Sequence, residues 1–201
     1  MGRIVVPFDG GYAGTRMLTM ACDTARLWDS EVEVVYVLRI PPQVPIDADL
    51  PAARERADAI FARAYNVAAD AAARVPLAVT TVLIEARHVA TGLVVAAEGA
   101  DLLMMGLPDR RRLVRRVLFT PTLRYVLAHA PCEVLVGYVP PIAPDVPVSR
   151  FLHARRAPVP PSARMPDNVR VLRTGRAGVL GAPHVPPHPD QRSPVGGVGR
   201  G

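Results

Sequence analysis

Residues 100–136 combine an apolar run, a basic loop and a helix start, and such a combination can bind an anion. The apolar run, residues 102–105, ends at Gly106, and Thr120 stands immediately before Pro121. A threonine at this place can accept hydrogen bonds from free amides, and proline suits the first helical position because its missing N–H would have no partner there. The sequence therefore predicts that Thr120 begins a helix whose start can hold a phosphate.

Arginines fill the loop between the apolar run and this helix. Arg110, Arg111 and Arg112 are consecutive, and Arg115 and Arg116 follow. Guanidinium groups bind phosphate through paired, charge-assisted hydrogen bonds, so these side chains are candidate phosphate contacts. A run of like charges is more often a solvated surface, and both interpretations stay open.

The same region resembles the nucleotide motif of the universal stress protein family. In that motif three spaced glycines and a final Ser or Thr surround the phosphates with their amides and hydroxyl. Counted from Gly106 with the family's spacing, the second glycine position holds Asp109, the third holds Phe119 and the hydroxyl position holds Thr120. The resemblance covers about residues 3–139, and the further segments that carry it are RIVVPFDGG, DLLMMG and HAPCEVLV.

The resemblance also implies roles for Asp9 and Val37. Asp9 stands where the family has an aspartate beside the nucleoside, which implies a polar contact to a ligand; the alternative is that it turns the chain with the two glycines after it. Val37 matches a position whose backbone meets the adenine base, and its alternative role is ordinary strand packing. The candidate nucleotide-binding residues are therefore Asp9, Val37, Gly106 and Thr120.

Three residues at this site act against ATP. Asp109 puts a negative charge beside the phosphates, and Phe119 puts a ring where the family's backbone approaches the ligand closely. Pro121 removes one amide from the helix start. We therefore expect that MgATP binds weakly or not at all and that the chain has no resident cofactor. The alternative is a nucleotide-binding sensor in which the loop arginines replace the lost glycines.

The elements that must position these residues alternate between strand and helix. Val-rich apolar runs at residues 4–8, 32–38 and 77–84 are typical of buried parallel strands, and the segments between them have apolar stripes at helical spacing. The pattern predicts an α/β fold. The resemblance implies a doubly wound, five-stranded parallel sheet of order 3-2-1-4-5 with helices on both faces. Strands 1 and 4 are neighbours in that order, so the loops that carry Asp9 and Gly106 face one crevice.

The composition changes at about residue 140. Residues 1–140 carry 15 Arg against 15 acidic residues and residues 141–201 carry 9 against 3, so the net charge of +6 lies in the second part. That part has 12 Pro and 7 Gly among 61 residues, and only residues 168–172 alternate like a strand. We predict an α/β domain at 1–140 and a disordered tail at 141–201. The tail should add nothing to folding, and its charge can bind polyanions weakly.

The sequence indicates neither catalysis nor a metal site. His129 and Cys132 have the spacing of two metal ligands, but a structural zinc site needs four. We expect His129 to bind carbonyl groups at a helix end and Cys132 to pack in the core. The chain contains no nucleophile elbow, Walker loop or paired-carboxylate motif, and we expect a non-catalytic protein.

Location and assembly follow from similar patterns. The sequence predicts a cytoplasmic protein that does not enter a membrane. It has only two cysteines, no signal-peptide pattern at the start and no run of about 18 apolar residues.

The apolar segment at residues 133–139 should form the last strand of the sheet, and an apolar edge strand invites pairing with a second copy. We therefore expect a homodimer through residues 133–139 that binds a further protein partner.

Overall fold

The structure is a computed structural model that describes residues 2–72, 77–108, 120–139, 150–154, 169–175 and 179–180. Strands and helices alternate through its first part, as predicted. In chain order the elements are β1 (Gly2–Pro7), α1 (Tyr12–Trp28), β2 (Ser30–Arg39), α2 (Pro51–Ala72), β3 (Leu77–Ala86), α3 (Val89–Ala96), β4 (Leu102–Pro108), α4 (Pro121–His129), β5 (Glu133–Val139), β6 (Arg150–Ala154), β7 (Val169–Gly175) and β8 (Val179–Leu180). Asp109, Arg110, Arg111, Arg112 and Phe119 lie outside the described residues. Within the described ranges, no helix has the length and apolarity needed to cross a membrane.

The eight described strands form one sheet of order β6-β5-β4-β1-β2-β3-β7, with β8 beside the first residues of β3. Strands β1 to β5 are parallel, and β1 and β4 are neighbours at the centre. The predicted α/β fold with a doubly wound parallel sheet of order 3-2-1-4-5 is therefore confirmed. Because the winding reverses between β1 and β4, the loops after these strands diverge and leave a crevice at their carboxyl ends.

Helices cover both faces of the parallel strands. Successive side chains of a strand point to opposite faces, so Ile4 and Val6 of β1 pack with residues of α1 and α2, whereas Val5 packs with residues of α3 and α4. All three side chains are buried. A strand that is covered on both faces needs apolar residues at every position, which explains the continuous apolar runs in the sequence.

The glycine in the middle of α3 has a packing role. Gly92 is buried, and a Cβ atom there would lie 2.7 Å from Cγ1 of Val37 and 3.3 Å from Cγ2 of Ile84. The missing side chain therefore lets α3 approach β2 and β3 closely. This packing offsets the cost of about 1 kcal/mol that glycine carries in a helix.

Three segments of the predicted tail add antiparallel strands to the sheet. The strand β7 pairs with β3 and confirms the strand indicated by residues 168–172. The strand β6 pairs with β5, so the prediction that residues 133–139 form an edge strand is wrong. An apolar edge leaves backbone groups unpaired, and here the chain supplies the missing partner itself. Part of residues 141–201 therefore belongs to the folded sheet, which the tail's composition did not indicate.

Candidate functional site

A cavity of about 540 Å³ opens at the carboxyl ends of β1, β2 and β4, where the doubly wound topology predicts a crevice. Its walls are mostly apolar. Asp9, Val37 and Gly106, three of the four candidate nucleotide-binding residues, line it. The fourth, Thr120, is not a lining residue, but Thr122 in the same helical turn is. The fold thus brings together the segments that the sequence assigned to one ligand.

Asp9 turns the chain from β1 into α1. Its Oδ1 accepts a hydrogen bond from the backbone N–H of Gly11 at 2.8 Å, and Gly10 has a φ of +79°, a conformation that favours glycine. The structure therefore confirms that Asp9 turns the chain with the two glycines after it. The side chain is exposed and lines the cavity, so the same turn places a carboxylate at the cavity wall.

The end of β2 offers backbone groups to the cavity. Val37 pairs with Ile84 of β3 on one side, but the ladder to β1 ends at Val35, whose carbonyl accepts the N–H of Phe8 at 2.8 Å. Residues two apart in a strand direct their N–H and C=O groups to the same side. The N–H and C=O of Val37 therefore face the space beyond β1, where they can bind the polar edge of a heterocyclic base.

Gly106 is required for the packing of β4 against α1. A Cβ atom at this position would lie against the carbonyl oxygen of Ala13, 2.7 Å from the carbonyl carbon of Ala13 and 2.6 Å from Cγ of Met17. These distances are too short for a real side chain, and two of the atoms belong to backbone that cannot rotate away. The glycine that the sequence assigned to a phosphate loop is therefore explained by helix packing.

Thr120 caps α4 as predicted. Its Oγ1 accepts a hydrogen bond from the N–H of Leu123 at 3.2 Å, and Pro121 occupies the first helical position. The N–H of Arg124 donates to the carbonyl of Thr120 at 3.0 Å. In this first turn, the backbone N–H groups of Thr120 and Thr122 are the ones that neither the cap nor the helix takes. The start of α4 therefore has at most two amides for an anion, because Pro121 has no N–H.

A second cavity, of about 610 Å³, adjoins the first, and Val89 and Thr122 line both. Arg39 at the end of β2 and His88 before α3 also line the second cavity. Sequence reasoning missed Arg39 and Thr122. Arg39 stands alone at the end of a strand and belongs to no motif. Thr122 could have been found, because it is the second threonine at the helix start, directly after Pro121.

His129 and Cys132 have structural roles, as expected. Nδ1 of His129 lies 2.8 Å from the carbonyl oxygen of Tyr125, and the two rings stack with their centroids 4.1 Å apart. Cys132 is buried, and burial raises the pKa of its thiol from 9.0 to about 11. Among the described residues, no three His, Cys, Asp or Glu side chains form a group that could hold a metal ion.

The sheet order and the crevice define a class: doubly wound α/β domains with a ligand cavity at the topological switch point. Within that class, residues 1–137 match the model of the universal stress protein family, and the chain belongs to this family. Among curated proteins no match was found.

Solved structures of universal stress proteins are similar to this chain. The protein from Archaeoglobus fulgidus is 19% identical with a TM-score of 0.52, and the match covers 68% of this chain and 93% of that one. The Archaeoglobus fulgidus protein in complex with dAMP is 18% identical with a TM-score of 0.51, covering 68% of this chain and 97% of that one. A family protein from Burkholderia pseudomallei is 27% identical with a TM-score of 0.43, covering 67% and 94%. The first two similarities show the fold.

Proposed function

We propose that this chain is a non-catalytic, cytoplasmic universal stress protein module that acts through a protein partner. Its crevice binds an adenine nucleoside or nucleoside monophosphate and holds MgATP weakly or not at all. The observation that carries the proposal is a difference between the two ends of the crevice in the number of groups that can bind a nucleotide. The described residues of the crevice offer groups that can bind a base, but few that can bind phosphate.

The base end combines apolar walls with polar groups at fixed places. The backbone of Val37 presents one donor and one acceptor, which is the pattern that the edge of an adenine ring requires. Asp9 adds a carboxylate at the start of α1, suited to a ribose hydroxyl. The Archaeoglobus fulgidus relative was solved with dAMP, a ligand of this chemistry.

Among the residues that the structure describes, the phosphate end has few donors. Gly106 packs against α1, and the start of α4 leaves at most the amides of Thr120 and Thr122. Asp109 and Phe119 stand where the family has its other two glycines. A triphosphate carries more negative charge than a monophosphate, so each missing donor costs it more.

A binding role, as opposed to catalysis, is supported by the lining of the crevice. Asp9 is the one carboxylate among its described lining residues, and Oδ1 of that carboxylate is hydrogen-bonded within the chain turn. The other described lining residues include no His, Cys, Lys or second carboxylate that could pair with Asp9 in acid–base catalysis. A cytoplasmic location is supported by Cys22 and Cys132, both of which are buried as free thiols.

Calorimetry of the full chain with adenosine, AMP and MgATP tests the ligand. AMP should bind at least as tightly as MgATP, and MgATP should have a millimolar dissociation constant, because each loss of about 1.4 kcal/mol weakens binding tenfold. The double variant Asp109→Gly with Phe119→Gly should bind MgATP more tightly than either single variant. The two single variants are the matched controls. Micromolar MgATP binding by the parent protein would contradict the proposal.

A nucleotide-binding sensor that uses arginine in place of glycine amides is the second candidate. The observation that favours it is Arg39, whose side chain lines the cavity that adjoins the crevice at Thr122. If MgATP binds tightly, two variants identify the phosphate contacts. One is Arg39→Ala, and the other combines Arg110→Ala, Arg111→Ala and Arg112→Ala. Tight binding that survives both variants would reject this candidate as well.

A homodimer through residues 133–139 remains part of the proposal, with one added condition. Since β6 pairs along β5, a second copy can pair there only after β6 leaves. His153→Pro removes a backbone donor from β6, so it should raise the dimer fraction in sedimentation at micromolar concentration, whereas His153→Ala should not. A monomer in both variants would argue against pairing at this strand.

Weak polyanion binding by residues 141–201 is a third candidate, carried by their net charge of +6. Binding to a polyanion such as heparin should then fall steeply as salt rises, because neutralising its charges releases counterions. Binding that does not change between low and high salt would reject it.

A further inference from the structure

The segment at the start of β7 is seated in the domain as a core strand. It runs antiparallel to β3, with Glu85 opposite Arg170 and Ala86 opposite Val169. Val169 is only 8% exposed and belongs to the core cluster on the α3 side of the sheet. Leu172 packs on the other face, in the cluster that contains Phe61. The segment therefore fills space on both faces of the β3 edge.

Glu85 is the unusual group at this edge. Its side chain is fully buried, and neither carboxylate oxygen has a hydrogen-bond partner in the described part of the chain. Two cations of the described residues lie within 4.0 Å: Nη2 of Arg54, 3.7 Å from Oε1, and Nη1 of Arg170, 3.8 Å from Oε2. Arg54 also binds Asp49 at 2.7 Å, so its charge is shared. A buried carboxylate is stable only beside positive charge, and Arg170 supplies that charge from β7.

The position of this arginine sets the register of the strand. A slip of β7 by one residue would place a valine, 169 or 171, opposite the buried carboxylate. Arg173 pairs with Val82, three positions along the ladder, so it would stand opposite Glu85 only after a slip of three residues, and a slip by an odd number reverses the faces of the strand. In the observed register, Arg170 is therefore the arginine of β7 that stands opposite Glu85.

We propose that the β3 edge is a strand-binding site selective for an extended segment with arginine between apolar residues, and that residues 169–172 of this chain are its ligand. Backbone pairing along β3 holds the segment, the apolar side chains fill both faces, and Glu85 selects the arginine. The site is separate from the nucleotide crevice and does not depend on the function proposed above.

Hydrogen exchange of the full chain, followed by mass spectrometry, tests this site. Arg170→Ala should raise exchange in residues 169–172 by about tenfold or more, whereas the matched control Arg173→Ala should change it by less than about twofold. In a Glu85→Gln background, Arg170→Ala should add less than about twofold, because the two side chains are coupled. Residues 2–7 of β1 report global unfolding and should not change. Equal effects of the two arginine variants would overturn the proposal.

A peptide supplied separately tests the selectivity directly. A fluorescent peptide of residues 167–175 should bind the Arg170→Ala chain in an anisotropy titration. The same peptide with alanine at position 170 should bind about tenfold more weakly or worse, which is about 1.4 kcal/mol. Equal binding of the two peptides, or of neither, would overturn the proposal. Protection of residues 169–172 that rises with protein concentration would show that the strand comes from a second copy and would overturn the assignment to its own chain.

Discussion

Replacement of Gly106 by alanine tests whether this glycine is kept for packing or for phosphate. The added methyl group would lie 2.6 Å from Cγ of Met17 and 2.7 Å from the carbonyl carbon of Ala13. Met17 is fully buried, and the Ala13 backbone is part of α1. An overpacked core loses about 1–3 kcal/mol, and we place this variant near the upper end because backbone cannot rotate away.

The expected loss can be measured as a change in unfolding free energy. A loss of about 2–3 kcal/mol in a chain of this size lowers the melting temperature by roughly 4–12 °C. Urea unfolding of Gly106→Ala and the parent protein without nucleotide gives the free energy directly. Gly92→Ala is a suitable control because its clash is with methyl groups of Val37, and alanine regains about 1 kcal/mol of helix propensity. It should therefore be the less destabilised variant.

Two results would separate the packing role from the ligand role. If Gly106→Ala is as stable as the parent protein within about 0.5 kcal/mol, the packing argument fails. If Gly106→Ala keeps the stability of the parent protein but binds AMP more weakly, the glycine allows a ligand to approach the backbone closely, as the family motif implies. If Gly106 is kept for its contact with α1, Gly106→Ala must be less stable than the parent protein in the absence of nucleotide.

Much of the fold was readable because its determinants are local. Continuous apolar runs at residues 4–8 and 32–38 indicated strands buried on both faces, and β1 and β2 confirm them. The start of α4 was readable because Thr120 and Pro121 are adjacent in sequence. The turn at Asp9 was readable for the same reason, since its partner is two residues away.

The remaining features depend on residues that are distant in the chain. The packing role of Gly106 comes from a helix more than 80 residues earlier, and sequence spacing alone does not show that contact. The partner of Glu85 is likewise 85 residues away, in a tail whose proline and glycine content indicated disorder. The sequence indicates β7 by the alternation at residues 168–172, but it does not indicate β6: the apolar edge of β5 is visible in the sequence, whereas the segment that covers it is not.

Three further predictions follow from single residues. Thr120→Ala should lower the free energy of unfolding by about 1 kcal/mol and Thr120→Ser should restore it, measured in urea. Asp9→Ala should cost about 1 kcal/mol, because the N–H of Gly11 loses its acceptor, and Asp9→Asn should cost less. Burial raises the thiol pKa of Cys22 from 9.0 to about 12 and that of Cys132 to about 11. Both thiols therefore stay neutral in the folded protein at a pH where the unfolded chain ionises. Their contribution to stability is complete below pH 9 and is lost as the pH rises towards 11–12. Urea unfolding at a series of pH values should show this loss, and Cys22→Ala should flatten it. Rapid reaction of the folded protein with a thiol reagent at about pH 8, where an exposed cysteine begins to ionise, would contradict the burial on which this prediction depends.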